Sequence, residues 1–152
     1  MKLLDNLHPS LIDLHLSGSN KEQVLSRLVA LFVEAKVIVQ GEALLESLLE
    51  REGLGSTGIG HGVAIPHGRS AELTRPAIAF ARTEQEVDFD SIDGQPTRLF
   101  FLLVAPENAG NDHLHLLAKI ARLMRDATVR ERLLQLEQAD DVFALFDSRE
   151  SV

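Results

Sequence analysis

The sequence predicts an α/β chain of the α+β kind: a three-layer sandwich in which a mixed sheet of about four to five strands carries helices on both faces. Three observations predict it. Leu99-Phe100-Phe101-Leu102-Leu103-Val104-Ala105 is a continuous apolar run ended by Pro106, and a strand apolar on both sides belongs in the middle of a sheet covered twice. Other segments repeat their apolar residues every three to four positions, the helical period. The order is strand, two helices, strands, then helices, which lacks the regular alternation of a doubly wound sheet.

Taken in order, Ile12-Asp13-Leu14-His15-Leu16 alternates as a short strand, and Ser17-Gly18-Ser19-Asn20 is a turn. Ser19 with Glu22 forms a capping box, and Leu25, Leu28, Val29 and Phe32 mark the inner face of a first helix running to about Lys36. A second helix spans roughly 42–52, with Leu44, Leu45, Leu48 and Leu49 inward and Gly53 as its stop. Arg51 then lies in its last turn. Ala77–Ala81 reads as a strand, and the segment Phe89–Pro96 as turns. Asn111 or Asp112 caps a third helix with Leu114, Leu117, Ala118 and Ala121 at helical spacing. Two more helices are expected near 128–135 and 140–146. The alternation Glu84, Glu86, Asp88, Asp90 is a solvated edge.

Composition narrows the function. At 152 residues the whole chain, 1–152, is expected to form one domain, with its core between about Leu11 and Phe146. Fifteen basic against 23 acidic residues give a net charge of −8, which disfavours binding to a nucleic-acid backbone and suits a partner protein with a basic face. Trp and Tyr are absent, so no base-stacking surface is expected. No run approaches the length of a membrane span, so no direct membrane insertion is expected. The first residues, Met1-Lys2-Leu3-Leu4-Asp5, have no signal-peptide core, and there are no cysteines. Both features suit a cytoplasmic protein.

The chemistry concentrates in Gly55-Ser56-Thr57-Gly58-Ile59-Gly60-His61-Gly62-Val63-Ala64-Ile65-Pro66-His67-Gly68-Arg69. Glycines this dense allow close approach and positive φ. Val63-Ala64-Ile65 reads as a buried strand that stops at Pro66, since proline donates nothing to a ladder. His67 is thus delivered at a strand end beside a loop, and imidazole is a nucleophile and proton carrier near neutral pH. Gly53–Gly58 also satisfies G-x-G-x-x-G, but it follows a helix and leads toward a strand, the reverse of a dinucleotide fingerprint. A zinc site from His61, His67, His113 and His115 is disfavoured: His113 and His115 diverge on a helix, and no cysteine or carboxylate partner is evident. No cofactor and no metal are expected.

Arg51-Glu52, Gly55-Ser56-Thr57-Gly58-Ile59-Gly60 and Ile65-Pro66-His67-Gly68-Arg69 resemble the signature of the enzyme IIA domains of the fructose–mannitol class, part of the bacterial phosphoenolpyruvate-dependent phosphotransferase system. Within that class the stand-alone nitrogen-regulatory enzyme IIA is most similar. The resemblance implies that His67 carries a phosphoryl group on Nε2, received from a phosphohistidine of the small phosphocarrier protein, with His113 and Arg51 in support. An arginine fork suits the three oxygens of a phosphoryl group, and His113 would fall in the first turn of a helix, where anions are favoured. Ser56 and Thr57 have two open readings, donors to the phosphoryl group or caps of turns. The implied next step is either a regulatory target protein or a IIB domain of a permease, the regulatory branch being preferred. A third alternative is a binding module that is never phosphorylated.

Overall fold

The structure is a computed structural model that describes residues 2–108 and 110–150. A 3-10 turn, Leu3–Asp5, leads into β1 (Leu7–Leu16), followed by the helix pair α1 (Lys21–Glu34) and α2 (Gly41–Gly53). Then come the short strands β2 (Gly58–Gly60), β3 (Val63–Ala64) and β4 (His67–Ser70) and the long strands β5 (Ala77–Val87) and β6 (Thr97–Pro106). Three helices close the chain: α3 (Asp112–Leu123), α4 (Ala127–Leu133) and α5 (Ala139–Glu150).

The sheet runs β1-β5-β6-β3-β2, with β4 also paired to β6. It is mixed, as expected: β1 and β5 are parallel, β5 and β6 antiparallel, and β3 and β4 both run parallel to β6. The apolar run of β6 is its centre, with Leu99 to Ala105 all buried. Successive residues of β6 serve opposite faces. Phe101 meets Phe80 and, on α5, Phe146, with ring centroids 4.9 and 5.7 Å apart. Its neighbour Phe100 turns the other way and packs edge-on against Phe89 at 5.2 Å. Edge-on and tilted ring contacts of this kind are the favoured geometries and add to simple burial.

Several boundaries move. The strand expected at Ile12–Leu16 begins at Leu7, and that expected at Ala77–Ala81 continues to Val87. The first cap sits one residue later than Ser19 and Glu22 suggest. Asn20 accepts from the Gln23 amide at 2.9 Å, and the Gln23 side chain in turn accepts from the Ser19 amide and hydroxyl. Asn111 occupies the cap position of α3 without a side-chain cap bond. The strand of Val63 does not end the pairing at Pro66. Proline interrupts the ladder for two residues, its carbonyl still accepts from Leu103 N at 3.0 Å, and pairing resumes with His67 opposite Leu103. His67 therefore opens a strand rather than closing one.

The face of α3 also differs from expectation. Leu116 and Ile120 are buried in the core, whereas Leu114 is 53% exposed and Ala118 is exposed. Eight of the twelve residues His113–Met124 are apolar, so two stripes a turn-fraction apart fit the helical period equally well. The buried stripe faces β6; of the one read from sequence, Leu117, Ala118 and Ala121 line a groove beside His67.

Candidate functional site

The site is assembled by the way α2 meets β4. Gly68 makes this approach possible: a Cβ there would lie 2.9 Å from Ser47 Oγ and 3.1 Å from Leu48 Cδ2, both on α2. With Gly68 facing α2, strand alternation turns its neighbours His67 and Arg69 toward the opposite side, where α3 begins. The last turn of α2 brings Arg51 around to the same place. Arg51, His67, Arg69 and His113 line one open groove of about 270 Å³, together with Glu50, Leu54 and Leu103.

The hydrogen bonds fix the tautomer of His67. Its Nδ1 lies 2.9 Å from the Ile65 carbonyl, which can only accept, so Nδ1 bears the proton. Nε2 accepts from Arg51 Nε at 3.2 Å. The Nε2 lone pair is thus directed into the groove, held by a guanidinium that is itself braced through Nη1 to the Gly55 carbonyl at 2.9 Å. The pKa of His67 is lowered from the ordinary imidazole value. Burial is the largest cause; the Ile65 carbonyl opposes it, and the Arg51 charge adds to it.

Behind Arg51 lies a buried network that the sequence reading did not anticipate. The Glu52 carboxylate accepts from the Thr57 amide at 3.2 Å and from the Thr57 hydroxyl. Lys21 Nζ reaches it at 3.1 Å, contacts Asp90 at 3.2 Å and sits 4.8 Å above the Phe89 ring. Ser56 Oγ donates to the Phe89 carbonyl at 2.5 Å and accepts from the Gly58 amide at 3.0 Å. Both hydroxyl protons are therefore spent on acceptors outside the 55–58 turn, the Phe89 carbonyl and the Glu52 carboxylate, and these bonds tie the turn to its neighbours. Ser56 and Thr57 border a second shallow groove with Leu117, Ala118 and Ala121, the α3 stripe noted above.

On the far wall, His113 and not His115 lines the groove. Arg69, in the quoted motif but not among the expected site residues, lies beside it: Arg69 Nη2 is 3.4 Å from His113 Nε2. Spacing could have found Arg69, because residues i and i+2 of a strand share a face. Ending the strand at Pro66 hid that rule. His61 is elsewhere, exposed in the β2–β3 turn, where Gly60, His61 and Gly62 all take positive φ. Among the described residues no group of three or more His, Asp or Glu side chains is placed to hold a metal ion.

Residues 5–149 match the model of the family described as "Phosphoenolpyruvate-dependent sugar phosphotransferase system, EIIA 2". The chain belongs to this enzyme IIA type 2 family. Members of the family are phosphotransferase components, and a phosphoryl-carrier role fits it. The chain is 43% identical over 146 residues to a nitrogen regulatory protein of Bradyrhizobium diazoefficiens, covering 95% of this chain and 94% of that one. It superposes on the nitrogen regulatory protein IIA-Ntr of Neisseria meningitidis with a TM-score of 0.86 at 37% identity, covering 93% and 97% of the two chains. It is also 36% identical over 150 residues to the fructose-specific EIIABC component of Bacillus subtilis, which covers 99% of this chain but only 24% of that larger protein. No helix of the described residues is long and apolar enough to cross a membrane.

Proposed function

We propose that this enzyme IIA domain is a cytoplasmic phosphoryl carrier that accepts the group on His67 Nε2 from the phosphohistidine of the phosphocarrier protein, and that it works mainly as a regulator. The observation that carries the reading is the pair of bonds on the His67 ring: Nδ1–H on the Ile65 carbonyl and Nε2 facing the Arg51 guanidinium. The Nε2 lone pair attacks phosphorus. The donor's P–N bond breaks, and its electron pair returns to the donor imidazole. No proton leaves His67, since Nδ1 keeps its own. The loaded ring gains positive character, which the Ile65 carbonyl stabilises, while Arg51 shifts its hydrogen bonding from nitrogen to phosphoryl oxygens. Such a step is mostly positioning and charge stabilisation; none of it calls on a cofactor.

The regulatory role rests on likeness to nitrogen regulatory proteins over nearly the full length of both chains. Loading adds about −1.5 to −2 charges to a chain already at −8, so a partner can read the state electrostatically. The second reading, transfer to a permease IIB domain, is supported by the likeness to part of a fructose-specific EIIABC component. Pull-downs from cell extract with loaded and unloaded protein separate the two. A non-permease partner whose affinity differs at least about tenfold between states, roughly 1.4 kcal/mol, supports regulation. Recovery of a IIB domain alone, with rapid passage of phosphate to it, supports uptake. Protein that takes no acid-labile, base-stable label from phosphoenolpyruvate, the first enzyme and the phosphocarrier protein overturns both and leaves a binding module.

A further inference from the structure

Arg69 has no part in the steps above, yet it occupies the groove opposite Arg51. Its side chain leaves the same face of β4 as His67, for the reason Gly68 supplies. Its present partners are all neutral. Nη1 donates to the carbonyls of Pro106 at 3.3 Å and Glu107 at 3.4 Å, and Nη2 donates to His113 Nε2 at 3.4 Å. These are long bonds for a guanidinium, whose bonds to an anionic oxygen run at about 2.7–2.9 Å and are roughly twice as strong as neutral ones. His113 records the same poor satisfaction. Guanidinium has no acceptor, so His113 Nε2 must accept and the ring proton falls on Nδ1. That nitrogen is buried and has no partner among the described residues. A buried polar atom without a partner is rare enough in a folded protein to require a reason.

The geometry points to Arg69 as a second phosphoryl-binding guanidinium, which exchanges the Pro106 and Glu107 carbonyls and His113 Nε2 for phosphoryl oxygens when His67 is loaded. The inference rests on His67 being the acceptor. It adds no proton and no bond to the transfer: Arg69 meets charge on oxygen from the α3 side while Arg51 meets it from the α2 side. Its departure also releases the end of β6 and frees His113 Nε2 from its donor.

The test uses the full chain with phosphoenolpyruvate, the first enzyme and the phosphocarrier protein. Single-turnover transfer at saturating phosphocarrier is expected to slow by about tenfold or more in Arg69→Ala. Arg69→Lys should be intermediate, because it keeps the charge and loses the fork. The 31P shift of the phosphohistidine should move in Arg69→Ala, which a merely structural residue would not cause. In the unmutated protein, the guanidinium 15N resonances of Arg69 should shift on loading, a measurement independent of any variant's folding. An Arg69→Ala rate within twofold of wild type with an unchanged 31P shift overturns the inference. So does a loss confined to KM, the mark of charge steering alone, or Arg69 resonances identical in both states. Failure of the unmutated protein to take label on His67 is a different result and overturns the parent reading.

Discussion

On the α2 side of the groove, Arg51 is braced to Gly55 and bonded to His67, and the Glu52 carboxylate behind it holds Thr57 and Lys21. On the α3 side, Arg69 and His113 meet at 3.4 Å, the other bonds of Arg69 are as long, and His113 Nδ1 has no partner among the described residues. One wall is preorganised in the unloaded state; the other is not. A carrier must both hold and release its group. A wall fixed in advance lowers the barrier to accepting it, because no reorganisation is needed during the step. A wall whose contacts improve only after loading is where the two states differ, and so where a partner could tell them apart.

The comparison can be broken from its strongest point downward. His67→Ala should abolish the label altogether; a label that persists, for instance at His113, would put the acceptor on the wrong wall. Arg51→Ala should slow transfer on the order of 10²-fold or more by rapid quench, with the thermal transition little changed, since Arg51 is outside the apolar core. His113→Ala should also slow transfer without unfolding the protein. A slowing as large as that of Arg51→Ala, with no difference between loaded and unloaded states in partner affinity, would show the two walls to be equivalent.

Gly68→Ala tests whether the preorganised wall depends on the approach of α2. The new methyl would press on Ser47 and Leu48, costing about 1–3 kcal/mol as overpacking, and transfer should slow because Arg51 rides on the displaced helix. A stability loss with wild-type transfer would detach the wall from the helix. The smallest effect concerns pH. His67 is held below the ordinary imidazole value, first by burial, so the unfolded chain binds more protons in the window between the two pKa values. Stability therefore rises with pH there. The contribution is complete above about 6.5 and is lost as pH falls through the lower folded value. Denaturant titrations of wild type and His67→Ala should diverge in that window. Transfer should stay level as pH drops to about 6.5 and decline only below it. A decline centred above 6.5 would contradict a neutral, partly buried His67.

The arrangement of the site was legible to different depths on the two walls. Arg51 could be placed because a helix with a clear stop at Gly53 feeds the glycine-rich turn directly, a local matter of propensity and capping. Helical geometry said that only one of His113 and His115 could face the site; the family resemblance was what chose His113. Arg69 was visible as a residue of the motif, but its position in the groove depends on β4 resuming after Pro66, and that resumption is a tertiary event. Only the neighbouring β6, offering Leu103 N to the Pro66 carbonyl and then pairing with His67, keeps the segment extended. Glu52 was equally visible and equally mute, because its ion-pair partner Lys21, which also contacts Asp90, comes from a distant part of the chain.

What the sequence determined by itself was the mixed sheet with helices on both faces, the central place of β6, and the segment that bears the reactive histidine. These follow from periodicity, apolar runs and breaker residues, whose effects act within a few positions of the chain. Only the tertiary structure decided which stripe of α3 is buried, which way β4 faces, and which hydroxyls are left for a ligand. Two apolar stripes on one helix satisfy the same period, so the choice between them belongs to what they pack against. The direction of His67 and Arg69 is set by Gly68 meeting α2, and the hydroxyls of Ser56 and Thr57 are claimed by Phe89 and Glu52. Contacts across the fold, unlike local periodicity, exist only once the elements have met.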